Sequence, residues 1–106
     1  MGAQPLTRQA PELTVYRRST AVVSRQISGE TLVVPIRGKV GDLSSIYNFN
    51  EAGSVLWAAL EQPRSLGHLA SALCQSFEVE QNDARRDAEA FVREMQAAGL
   101  LSAASS

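Results

Sequence analysis

At 106 residues, 44% of them hydrophobic, the chain fits one compact domain built on a single core. Its 10 basic and 11 acidic residues give a net charge of −1, which leaves no overall positive field to hold a nucleic acid. A single cysteine excludes an intramolecular disulfide, no apolar run approaches the roughly 20 residues of a membrane span, and the start lacks a signal-peptide core, so a reduced, cytoplasmic protein is expected.

Met1–Leu13 carries Pro5 and Pro11 and no sustained period, so residues 1–14 are expected to form a flexible N-terminal segment ahead of a folded domain over 15–101. Ser19–Ile27 alternates, with Ala21, Val23 and Ile27 on one face and Thr20, Ser24 and Gln26 on the other, as a half-buried strand does; Val22 breaks the pattern. Ser28 and Gly29 then predict a tight turn, and Thr31–Ile36 a second strand with Leu32, Val34 and Ile36 inward. Pro35 has no amide to donate, which requires this strand to be an edge or bulged at that point. After a loop over Arg37–Leu43 a third strand spans about Ser44–Phe49, with Tyr47 and Phe49 on one face.

The alternation stops at Asn50, a good N-cap, and Glu51 puts a carboxylate where the helix dipole favours it. Ala52, Val55, Leu56, Ala59 and Leu60 recur at helical spacing, with Trp57 at the margin of the stripe. Gln62 and Pro63 end this helix; Ser65 caps a second, whose Leu66, Leu69, Ala70, Leu73, Cys74 and Phe77 line one face. A third begins near Glu80–Asn82, turns Ala84, Ala88, Phe91, Val92 and Met95 inward, and stops at Gly99 in a left-handed C-cap, after which Leu100 and Leu101 pack back. Ser102–Ser106, only Ser and Ala, reads as a flexible tail. The expected fold is α+β, a small three-stranded antiparallel sheet followed by a three-helix bundle, in a winged helix-turn-helix-like order.

Catalytic constellations do not assemble. His68 is the only histidine and falls off the second helix's apolar stripe, and Cys74 sits on that stripe as a small hydrophobe. No metal site, cofactor site or nucleophile–base pair is expected from these residues, and the protein reads as a non-enzyme. Gly38, Lys39, Val40 and Gly41 spell a GxxG, but between strands rather than between the helices that clamp a nucleic-acid backbone. The third helix interleaves Asp83, Asp87, Glu89 and Glu94 with Arg85, Arg86 and Arg93, a mixture that opposes phosphate binding.

Two segments, Phe49–Leu60 (FNEAGSVLWAAL) and Asp83–Leu101 (DARRDAEAFVREMQAAGLL), closely resemble the PqqD-like family, in which an Asn-Glu pair leads from a strand into a helix with an aliphatic-Trp pair, here Leu56 and Trp57. Asp87, Phe91, Val92, Met95 and the closing Gly99–Leu101 match the family's third-helix pattern. The chain departs where members often leave the first helix through Leu-Asp-Gly, having Leu60, Glu61, Gln62 and Pro63, and in Glu80, where a polar cap such as Ser is common.

The resemblance implies a RiPP recognition element. Such an adaptor is non-catalytic: it binds the leader of a ribosomally made precursor peptide and presents it to a modifying enzyme, a radical SAM protein in pyrroloquinoline quinone synthesis. The leader would add as a strand to the edge formed by Ser45, Ile46, Tyr47, Asn48 and Phe49, beside a groove walled by the third helix. With Phe91 and Met95 taken as core, that wall is expected to be Arg85, Glu89, Val92 and Gln96, with Val92 as apolar contact and Arg85 pairing with an acidic leader residue. The same bare edge would allow a homodimer. The alternatives are a winged-helix nucleic-acid binder, which the charge opposes, and a family member that docks another protein without any leader.

Overall fold

The computed structural model describes residues 14–37, 40–41 and 46–105. In chain order these form β1 (Thr14–Arg18), β2 (Val22–Ile27), β3 (Glu30–Arg37), β4 (Val40–Gly41), β5 (Tyr47–Phe49), α1 (Glu51–Ala59), β6 (Arg64–Ser65), α2 (Leu66–Ser76), α3 (Gln81–Ala97) and β7 (Leu101–Ser105). The α+β order holds: an antiparallel sheet with β3 between β2 and β5 precedes three helices.

The β2–β3 hairpin closes at Ser28 and Gly29, both at positive φ (51° and 82°), the geometry of a two-residue turn whose twist matches its strands. On its far edge β3 pairs β5 over Thr31–Val33 and the short β4 at Ile36 and Arg37. The Ile36 amide donates to Ala21 on the β2 side at 2.8 Å, so by strand alternation the Pro35 nitrogen faces the other way, into the interval between the β5 and β4 pairings. Proline thus stands where the ladder asks for no donor, as its residue type demanded.

The facing of the sheet is the reverse of the one expected. Thr31, Val33 and Pro35 are buried, whereas Leu32, Val34 and Ile36 are only half-buried, and Val23 and Ile27 are 53% and 50% exposed. Registering Phe49 opposite Thr31 and Tyr47 opposite Val33 fixes which face meets the helices. Thr31 is tolerated there because its hydroxyl donates to Ser54 Oγ at 2.9 Å, and Ser54 in turn reaches the Phe49 carbonyl at 3.4 Å.

Both expected caps form: Asn50 Oδ1 accepts from the Gly53 amide at 3.0 Å, and Ser65 Oγ from the His68 amide at 3.2 Å. A β-carbon at Gly53 would stand 2.9 Å from that of Phe49, so glycine is what lets α1 settle on the strand it leaves. Leu56, Trp57 and Leu60 from α1 and its cap, Leu69 and Leu73 from α2, and Ala84, Ala88, Val92 and Met95 from α3 form the core. His68 is exposed, and Cys74 is half-buried with its thiol 3.7 Å from the Val79 carbonyl. At the end of α3 the Gly99 amide bonds to the Gln96 carbonyl (3.0 Å) and the Leu100 amide to that of Met95 (2.9 Å), a Schellman motif with Gly99 at φ 79°.

Beyond this cap the chain forms no flexible tail over residues 102–105. Leu101–Ser105 is strand β7, paired antiparallel with β1 from Thr14↔Ser105 to Arg18↔Leu101, and β1 also pairs β6 in a second small sheet. Backbone hydrogen bonds carry this ladder, so a Ser/Ala segment with no hydrophobic period forms it as readily as a patterned one. Of the N-terminal segment expected to be flexible, residues 1–13 lie outside the described residues, and Thr14 belongs to β1. Gly38 and Lys39 of the GxxG, and Ser44 and Ser45 at the start of the expected third strand, also lie outside them.

Ending the chain at Leu101 is expected to lower the Tm and to expose the Val15–Arg17 amides to fast hydrogen exchange while those of α1–α3 stay protected; unchanged protection would show that β7 does not hold β1. Leu73→Ala, in the buried α2–α3 seam, is expected to cost about 2–5 kcal/mol in denaturant unfolding.

Candidate functional site

Among the described residues β5 pairs only with β3, so its other edge is bare. Every second residue of that edge turns its amide and carbonyl outward, a template for a further strand. Beside it lies a groove of about 520 Å³ between β5 and α3, rimmed by Tyr47, Asn48 and Asn50 on the strand side and by Asp87, Ala90, Phe91 and Glu94 on the helix side. Leu56, Leu73 and Met95 close its floor.

Aromatic contacts shape the groove. The Phe49 ring lies 5.6 Å from that of Trp57 and 5.2 Å from that of Phe91, the latter edge-to-face at 66°. Phe49 is buried and Phe91 half-buried, so the core reaches the surface through Phe91. On the far side of Trp57, Arg18 stacks over the indole at 4.5 Å and its Nε donates to the Trp57 carbonyl at 3.1 Å. Desolvation pushes the Arg18 pKa down, the charge of Glu61 opposing it. The indole Nε1 is buried and has no partner among the described residues.

Some of the residues expected to form the site line this groove and others do not. Tyr47, Asn48 and Phe49 border the groove. Ile46, just ahead of β5, is 44% exposed and outside its lining, and Ser45 lies outside the described residues. On α3 the expected wall is a misrotation. Val92 is 3% exposed and part of the core, Arg85 is half-buried, Gln96 is exposed, and Glu89 is exposed and paired with Arg93 at 3.2 Å; none of the four lines the groove.

Ala84 and Ala88 explain the rotation. These small residues let α3 approach α2 closely, and continuing their four-residue step leads to Val92 rather than to the bulkier Phe91, which is displaced by one helical position onto the β5 side. The residues missed are Asp87, Ala90, Phe91 and Glu94, which share the spacing of one helix face. An alanine-led stripe was the available signal for the seam.

Among the described residues no group of His, Cys, Asp and Glu could hold a metal ion, and no helix is long and apolar enough to cross a membrane.

The family model for coenzyme PQQ synthesis protein D (PqqD) matches residues 30–101. Among solved structures, TbiB1 in complex with the TbiA(beta) leader peptide is similar at 25% identity and a TM-score of 0.69, covering 80% of this chain and 93% of that one. Lasso peptide synthetase B1 complexed with the leader peptide is similar in fold, at 20% identity and a TM-score of 0.65, covering 82% and 96% of the two chains. No curated protein matches.

Two substitutions on α3 separate core from groove. Val92→Asp buries a carboxylate in an apolar seam and is expected to unfold the protein or lower its stability by more than about 3 kcal/mol. Phe91→Ala, at the groove's edge, is expected to cost less. Equal melting curves for Val92→Asp and the parent would restore the rotation read from the sequence.

Proposed function

Because the chain belongs to the coenzyme PQQ synthesis protein D family, we propose that it is a non-catalytic adaptor that binds the leader of a ribosomally made precursor peptide and hands the precursor to a modifying enzyme. The observation that carries this reading is a bare strand edge lying against a groove of about 520 Å³ lined by both apolar and polar residues. A leader in extended form would add to β5 by main-chain hydrogen bonds, and alternate side chains would drop toward Phe49 and Phe91 or turn to solvent. Backbone pairing supplies affinity and the groove supplies choice.

Two similar structures are themselves complexes with leader peptides, which supports a leader as the ligand here. In pyrroloquinoline quinone synthesis the receiving enzyme is a radical SAM protein, and we extend that class to this chain as the partner to try first. A net charge of −1 and an acidic helix-side rim weigh against the nucleic-acid alternative. The edge of β5 is also where two copies of the chain would pair, so leader binding and such a dimer would exclude one another.

An amide NMR titration with the leader of a short peptide encoded beside this gene tests the reading. Saturable shifts are expected at Ile46–Phe49 and at Asp87, Ala90, Phe91 and Glu94, and Phe91→Ala is expected to weaken binding by about tenfold or more through lost apolar contact. Shifts confined to the Arg85 and Glu89 face, or none from a folded protein, would sink it.

A further inference from the structure

The groove's charge is more selective than its shape. Although the whole chain is near neutral, among the described residues no Lys, Arg or His lines the space between β5 and α3, whereas Asp87 and Glu94 both do. Other acidic residues of this helix are answered locally: Asp83 meets Arg86 at 3.6 Å and Glu89 meets Arg93 at 3.2 Å. Asp87 and Glu94 are exposed, and among the described residues neither has a cation within ion-pair distance. The helix thus keeps charge-balanced pairs away from the groove and, at its rim, two carboxylates with no cationic partner among the described residues. Between these, Ala90 leaves room above the Phe49–Phe91 contact.

We infer that the groove selects a leader segment with an apolar anchor flanked by two cationic side chains, one for Asp87 and one for Glu94. This rests on the peptide-binding reading above and deepens it. Seven residues of α3 separate the carboxylates by about 10 Å along the helix, at a rise of about 1.5 Å per residue. An extended peptide covers that length in about three residues and alternates its side chains, so Lys or Arg four positions apart, with the anchor midway between them, puts all three on the groove face and reaches both carboxylates. Low-dielectric walls strengthen the attraction, and an acidic leader residue meets repulsion instead. The polarity is opposite to that expected had Arg85 faced the groove.

The test is selection of a display library of short random peptides on the full chain, at low salt and at about 1 M salt, beside the Asp87→Lys/Glu94→Lys and Phe91→Ala variants. The charge-changing positions are exposed, so the double-lysine variant is expected to melt with the parent, and a cooperative melting transition above the selection temperature checks that Phe91→Ala is folded. Expected is enrichment of apolar residues flanked by Lys or Arg, about tenfold over Asp or Glu at low salt and less at high salt, with the charge preference inverted in the double-lysine variant. Apolar enrichment that depends on Phe91 but shows no charge preference, or one the double variant leaves unchanged, would overturn this inference and leave the adaptor reading standing. No enrichment over Phe91→Ala in any condition would overturn both.

Discussion

Phe49 is wedged where three elements, β5, α1 and α3, meet. Its backbone closes the β5–β3 ladder opposite Thr31, its carbonyl accepts from Ser54, and its ring bridges Trp57 in the core to Phe91 at the surface. Its own β-carbon leaves no space for one at Gly53, so the strand and the helix after it are seated together. An aromatic relay of this kind ties the position of α3 to the edge of the sheet. The groove between them is therefore a product of core packing and is largely formed before any peptide arrives, which lowers the ordering cost of binding.

Local chemistry was the most legible part of this chain. Asn50, Ser65 and Gly99 announce helix boundaries because each answers a backbone need that few other residues satisfy, and Ser28–Gly29 announces a hairpin for the same reason. What the sequence left open were questions of facing. In β3 both parities are apolar enough to be a core face, with Leu32, Val34 and Ile36 against Val33 and Pro35, and only the register with β5 and the Thr31–Ser54 hydrogen bond decides between them. On α3, Phe91 and Val92 are adjacent and both apolar, so hydrophobicity alone cannot say which meets α2. The strand-side half of the site was readable from Tyr47–Phe49; the helix-side half depended on that rotation. Strand β7 was invisible for a different reason, since a Ser/Ala ladder is specified by its partner β1 and carries no pattern of its own.

Electrostatics is segregated rather than strong. The exposed pairs Asp83–Arg86 and Glu89–Arg93 contribute little to stability, as such pairs generally do. Their effect lies in where the cations are held, because arginines bound to neighbouring acids are kept off the groove rim. On the other side of the core Arg18 stacks on Trp57 and bonds to its carbonyl, bracing β1 against α1. Opposite ends of one aromatic relay thus carry opposite charge, with a guanidinium at Trp57 and carboxylates beside Phe91.

The pairing of β1 with β7 brings Thr14 and Ser105 to the same rung of a ladder. Cross-strand partners lie about 4.5–5.5 Å apart, so polypeptide entering the domain and polypeptide leaving it pass through nearly one point. None of the residues lining the groove comes from these two strands. A module with that layout behaves as a cassette: it can be spliced into a loop of another protein, or have its ends joined and be reopened elsewhere, with the recognition surface left to face outward.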